Sequence, residues 1–320
     1  MKYNTLFRKI WTTSSYQAAN DMNIIFMGTP DFAVPSLKTL VESSHSITSV
    51  VTGADKERGR GRKITYTPVK EFALEHNIPV LQPETLRDEN FINRLRELNA
   101  DLYVIVAFRI LPLEVFTIPS KGSFNLHGSI LPKYRGAAPI QWALINGDKE
   151  TGVTTFMLEQ KVDTGNIVLQ EKVGIEEEDD FGILHDKLSV LGAGVVLKTV
   201  SLIDDGNIKL LKQDNSLSSP APKITKELTE ISWNKSAEVI HNLIRGLSPY
   251  PGAYFKFNDK VIKVYKSRIC RERYRPGEFI QTKHSLIVGC GKDSLEVLEL
   301  QQEGRKRLII DEFLRGFSFN

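Results

Sequence analysis

The chain has almost no cysteine: Cys270 and Cys290 are the only two among 320 residues. Two thiols build neither a disulfide framework nor a cysteine metal knuckle, so the sequence reads as that of a cytoplasmic protein folding under reducing conditions. Long apolar runs are missing as well. None approaches the roughly 18 residues that cross a bilayer, so no membrane role is expected. Net charge is small, with 42 Lys and Arg against 39 Asp and Glu, a formal +3. A uniformly basic nucleic-acid coat is therefore excluded. What is present is ordinary for a globular protein, 41% hydrophobic and 25% charged residues. That mixture excludes disorder over most of the chain, and the length suggests two domains.

Residues 1–21 stand apart. The first 20 carry Lys2, Arg8 and Lys9, several Ser and Thr, and no acidic residue, a faintly transit-peptide-like composition. A poorly ordered extension is expected there. From Met22 onward, strand-like runs at 24–27, 47–51, 101–107 and 151–158 alternate with helical spacing at 32–40, 69–76, 91–98 and 183–202. Residues 77–80 read as a further short extended piece. This alternation predicts an α/β domain over 22–208, built on an open, mostly parallel, Rossmann-like sheet. A Ser- and Pro-rich stretch, 213–222, reads as the centre of a linker spanning 209–228. Beyond it, a helix at 236–245 precedes five short strand patterns, at 253–257, 261–266, 279–282, 286–289 and 295–301, which suggest a small barrel over 229–320.

The near-neutral total hides an asymmetry. Residues 223–320 carry 18 Lys and Arg against 12 Asp and Glu, whereas residues 1–222 carry 24 against 27. The second domain is the basic one.

Three segments hold chemistry. Segment 55–63 sets Lys56, Arg58, Arg60, Arg62 and Lys63 against Asp55 and Glu57, with Gly59 and Gly61 between the arginines. Its composition predicts a flexible loop, either a solvated surface or a device for capturing a phosphate backbone. Segment 122–141 contains Asn125 and His127, which strand alternation places on one face near the carboxyl edge of a parallel strand. Asn donates to a developing oxyanion and His donates or shuttles a proton, yet an Asn-x-His pair also occurs as a satisfied turn. Asp163, in Asp163-Thr164-Gly165, is either a turn residue or a carboxylate that orients His127. At the first strand, Gly28 stands alone without the G-x-G-x-x-G fingerprint, and Pro30 removes a donor, which disfavours a nicotinamide dehydrogenase.

Met27-Gly28-Thr29-Pro30-Asp31-Phe32, 124–132 (FNLHGSILP), 135–140 (RGAAPI) and Asp163-Thr164-Gly165 together resemble the methionyl-tRNA formyltransferases. The resemblance continues through 231–233 (ISW) and 245–253 (RGLSPYPGA), so it spans about 22–320 in order. It implies an enzyme carrying a formyl group from 10-formyltetrahydrofolate to initiator methionyl-tRNA, acting as a monomer and without a metal. The implied catalytic set is Asn125, His127 and Asp163, with folate bound at Ser129, Ile130, Leu131 and Pro132. The implied tRNA contacts are Arg58, Arg60, Arg62 and Lys63, helped by an OB-like C-terminal barrel. Two departures stand out: Ile130 replaces a common Leu, and 107–112 (AFRILP) is one residue shorter and carries Arg109. Alternatives within the wider formyltransferase group act on an amino sugar nucleotide or a purine precursor. A tRNA-binding module that has lost catalysis is the alternative from another class.

Overall fold

A computed structural model describes residues 22–58 and 63–319. The extension 1–21 lies outside them, as do Arg60 and Arg62 of the arginine-rich segment.

Asn23–Gly28 lies inside a seven-stranded sheet, beside its middle strand Leu102–Val106. Ser46–Val51 and Val80–Leu81 continue to one side in parallel, Leu102–Val106 and Ser123–His127 to the other. All five residues of Leu102–Val106 are buried, as a continuous apolar strand covered on both faces requires. Because the crossovers leave the centre in opposite directions, a crevice opens beyond the carboxyl ends of Asn23–Gly28 and Leu102–Val106. Two antiparallel strands, Glu150–Met157 and Ile167–Gly174, extend the Ser123–His127 edge. The second of these is absent from the sequence reading.

Helices cover the sheet where the spacing predicts them. Thr67, Asp88 and Asp180 each cap a helix by accepting a backbone N–H, starting Pro68–Glu75, Glu89–Glu97 and Phe181–Asp204. The last lies close against Ser123–His127. Gly192 permits the approach, since a Cβ there would sit 2.6 Å from Leu126 Cδ2.

The C-terminal part has its own core. Helix Ala237–Leu247, capped by Ser236, packs on a six-stranded antiparallel sheet. Its order is Ala253–Phe257, Lys260–Cys270, Ser294–Gln302, Leu286–Gly289, Phe279–Gln281, with Leu308–Ile309 added to Ser294–Gln302. Irregularities at Val264–Ser267 bend the long second strand. The sheet curls into a half-barrel over Ile240, Ile244, Phe255, Val264 and Val297, the OB-like form the resemblance implies.

The two parts meet where helix Pro139–Ile145 packs on Ala237–Leu247. Arg245 crosses this contact, donating to the carbonyls of Glu176 (3.2 Å) and Asp179 (3.4 Å) and to Asn242 Oδ1 (3.0 Å). Among the described residues, no helix is long and apolar enough to cross a membrane.

Candidate active site

Asn125 and His127 occupy alternate positions of Ser123–His127, with Phe124 and Leu126 packed into the core behind them. Both line a cleft of about 930 Å³ at the carboxyl edge of the sheet. Ile105, Phe108, Leu111, Phe116 and Leu158 give this cleft an apolar wall. Asp163 joins the two from the loop after Glu150–Met157. The three residues named from sequence therefore converge, although Asp163 is remote from the other two along the chain.

The orientation of His127 comes from a residue the sequence reading missed. His127 Nε2 lies 2.8 Å from the carbonyl oxygen of Tyr134. A carbonyl only accepts, so Nε2 carries the proton and Nδ1 is the open nitrogen of the neutral ring. Nδ1 sits 3.9 Å from Asp163 Oδ2, beyond hydrogen-bond length but close enough to stabilise an imidazolium. The Asp163 carboxylate instead accepts the backbone N–H of Gly136 at 2.9 Å. Gly136 is required there: its φ is +125°, and a Cβ would meet the Ala221 carbonyl at 2.6 Å. The Asn125 carboxamide makes no hydrogen bond among the described residues, so its N–H groups are available to a ligand.

Tyr134 is itself held firmly. Its hydroxyl donates to Asp148 Oδ2 (2.8 Å) and accepts from Asn146 Nδ2 (3.1 Å), and burial pushes its pKa up. Ala107, Tyr134 and Asp163 all have left-handed backbones without being glycine. Such conformations persist only where the surroundings over-determine them, and these three border one site.

Ser129–Pro132 does not line the cleft. The Ser129 hydroxyl donates to the Lys133 carbonyl at 2.6 Å, and its own carbonyl accepts from Thr154 Oγ1 at 2.6 Å. Leu131 is 2% exposed and holds Gln170 Nε2 through its carbonyl. These bonds make the loop a support beneath His127 and Tyr134.

The segment expected as a flexible loop is anchored at its base. Lys56–Arg58 and Lys63–Thr65 pair as a short antiparallel ladder, matching Arg58 with Lys63. Asp55 accepts from Lys70 Nζ (2.6 Å) and Gln82 Nε2 (2.9 Å), and these bonds, Lys70 first, lower its pKa. The ladder projects from the same sheet edge that carries the cleft.

Residues 22–200 match the family model for formyl transferase, and residues 223–318 match that for the formyl transferase C-terminal domain. The chain belongs to the formyl transferase family. Among formyl transferases, it is 46% identical to the methionyl-tRNA formyltransferase of Caldanaerobacter subterraneus subsp. tengcongensis, over 92% of this chain and 97% of that protein. The methionyl-tRNA formyltransferase of Flavobacterium johnsoniae is 45% identical over 93% of this chain and 97% of its own. In structure it is similar to an N-formyltransferase from Helicobacter canadensis, with a TM-score of 0.65 at 21% identity, covering 90% of this chain and all of that one. Glycinamide ribonucleotide transformylase 1 from Symbiobacterium toebii has a TM-score of 0.51 at 18% identity, over 62% of this chain and 99% of that one.

Within this formyl transferase, Arg109 marks a further feature. Its guanidinium donates to the carbonyls of Glu84 (3.1 Å) and Pro83 (2.9 Å), where the main cleft meets a second groove of about 590 Å³. Its presence in an otherwise apolar run was the only signal of this in the sequence. Among the described residues, no cluster of three or more His, Cys, Asp and Glu side chains is arranged to hold a metal ion.

Proposed function

We propose that this chain transfers the formyl group of 10-formyltetrahydrofolate to the α-amine of initiator methionyl-tRNA. The observation that carries the reading is the convergence of Asn125, His127 and Asp163 on one cleft, in a chain about 46% identical to methionyl-tRNA formyltransferases through both domains. Residues 22–208 do the chemistry and 229–320 help hold the tRNA. The apolar wall of the cleft suits the pterin of the folate, and Ser129–Pro132 serves that site as its support.

The neutral amine attacks the formyl carbon, so a C–N bond forms and negative charge develops on the formyl oxygen. The free Asn125 amide and a protonated His127 Nδ1 donate to that oxygen. With Nε2 committed to Tyr134, the imidazolium presents Nδ1 alone, and Asp163 stabilises its charge. The amine proton leaves through Asp163, directly or by water, while N10 of the folate gains a proton as its bond to the formyl carbon breaks. Arg58, Arg60, Arg62 and Lys63 engage tRNA phosphates from the anchored hairpin.

Formylation of charged initiator against elongator tRNA, with 10-formyltetrahydrofolate as donor, tests the reading. Initiator tRNA is expected to react preferentially, and Asn125→Ala or His127→Ala to lower kcat on the order of 10²–10³-fold. Near-wild-type turnover by both folded variants would refute the assignment.

A further inference from the structure

The stretch from Leu211 to Ala221, within the segment whose composition reads as a linker, crosses the back of the active site as a strap. Leu211 exchanges two backbone hydrogen bonds with Ile167, at 2.8 and 2.9 Å. Arg135 Nη2 donates to Asn215 Oδ1 at 2.8 Å. The backbone N–H groups of Tyr134 and Arg135 donate to Ser219 Oγ and the Ser219 carbonyl, each at 2.9 Å. Pro220–Ala221 then runs parallel to Arg135–Gly136.

Gln213 lies in the middle of this strap and is 6% exposed. Its Nε2 donates to the carbonyls of Asp163 (3.0 Å) and Gly165 (2.8 Å). Its Oε1 accepts from Arg135 Nε (3.2 Å) and Nη2 (2.6 Å). All four hydrogen-bonding positions of the amide are filled, and only a neutral amide bridges two carbonyls to a guanidinium in this way. The turn it holds contains Asp163 at φ +53°, a left-handed backbone state that Asp tolerates in turns and that local hydrogen bonds fix. Gly165 presses the same turn onto the strand Glu150–Met157, with no room for a Cβ beside the Met157 carbonyl.

We propose that Gln213 is a positioning residue for the reaction: it clamps the 163–165 turn to Arg135, keeping the Asp163 carboxylate facing His127. Gln213 itself lies outside the cleft lining. The inference rests on the catalytic reading of Asp163 and adds the part of the chain that fixes it in place. A Glu at 213 would keep the Arg135 contact but turn a carboxylate toward two carbonyl oxygens. A Leu would remove every bond.

Steady-state formylation kinetics of Gln213→Leu, Gln213→Glu, Asp163→Asn and the two double variants test this, with thermal unfolding as the check on folding. Both Gln213 variants are expected to lower kcat on the order of 10²-fold, the cost of a misplacement of about 1 Å. KM for tRNA and for the folate should stay within about twofold. In the Asp163→Asn background the same changes are expected to cost nothing further, because the two residues act as a unit. An equal loss in both backgrounds, or a loss carried by KM, would overturn the positioning role alone. Near-wild-type turnover by folded Asp163→Asn would overturn the catalytic reading and the strap together. Gln213→Glu preserves size and the Arg135 contact, so the comparison stands even if Gln213→Leu does not fold.

Discussion

His127 has one nitrogen tied to the backbone and one left open, and that division decides which ring atom is free at the cleft. The tie to Tyr134 is local, only seven residues away, yet it depends on Tyr134 adopting a left-handed backbone that no residue-type preference signals. A second histidine shows the opposite use of the ring. His241 on the domain-interface helix contacts Ser267 Oγ at 3.0 Å. Burial first, and then the charge of Arg245, hold its pKa below the ordinary value of 6.5, against the pull of Glu177 and Glu178. The folded state thus favours neutral His241, while the unfolded chain takes up a proton near pH 6.5. Stability from this group is fully present above that value and is lost as pH falls below it, levelling off beneath the lower folded pKa. Between about pH 7.5 and about pH 5.5, the wild-type melting temperature should therefore fall more than that of His241→Gln. Parallel melting curves would remove His241 as the cause.

At the scale of elements, the Ser123–His127 strand and the flanking helices were legible because their apolar periods match what they bury. Ile167–Gly174 was not. It is an edge strand whose outer half is largely exposed, so neither strict alternation nor a continuous apolar run marks it. Nor does periodicity encode strand direction, which left the antiparallel Glu150–Met157 undistinguished from its parallel neighbours. Asn125 and His127 were placed correctly on one face because two-residue alternation is a local rule. Asp163 could be named but not located, since its approach to His127 is made by a loop of irregular backbone. The docking of the strap is not legible for a related reason: Ser, Pro and Asn are as useful for holding a chain by hydrogen bonds as for leaving it solvated. The segment 107–112 offers a prediction at this scale. Arg109 pins it to Pro83 and Glu84 between the two grooves, so Arg109→Ala should raise KM for the folate about 10-fold, with kcat nearly unchanged. An unchanged KM would place the folate elsewhere.

Across the whole molecule, basic charge lies at two separated places. One is the hairpin at 56–65; the other is the C-terminal domain, where Arg271, Arg273 and Arg275 are exposed and form no ion pair among the described residues. Arg268, Arg307 and Arg315 nearby are already matched by Glu296, Glu299 and Asp311. A tRNA engaging both places should show a salt dependence that reports each independently. Replacing Arg60 with Arg62, or Arg271 with Arg273, by Ala should flatten the slope of log affinity against log salt by about 1.5–2 in each case. The two pairs together should flatten it by the sum, and an unchanged slope for either pair would remove that place from the tRNA footprint.

The strap also redefines where the catalytic half of the molecule ends. Sheet and long helix finish at Asp204, and the C-terminal core begins near Ile231. Between them, Gln213, Asn215, Ser219 and Ala221 complete the turns that carry Asp163 and Gly136. A recombination or truncation point set just after the long helix would therefore release the turns that carry Asp163 and Gly136. The tie reaches at least Pro222, whose carbonyl accepts from Trp142 Nε1 at 2.8 Å.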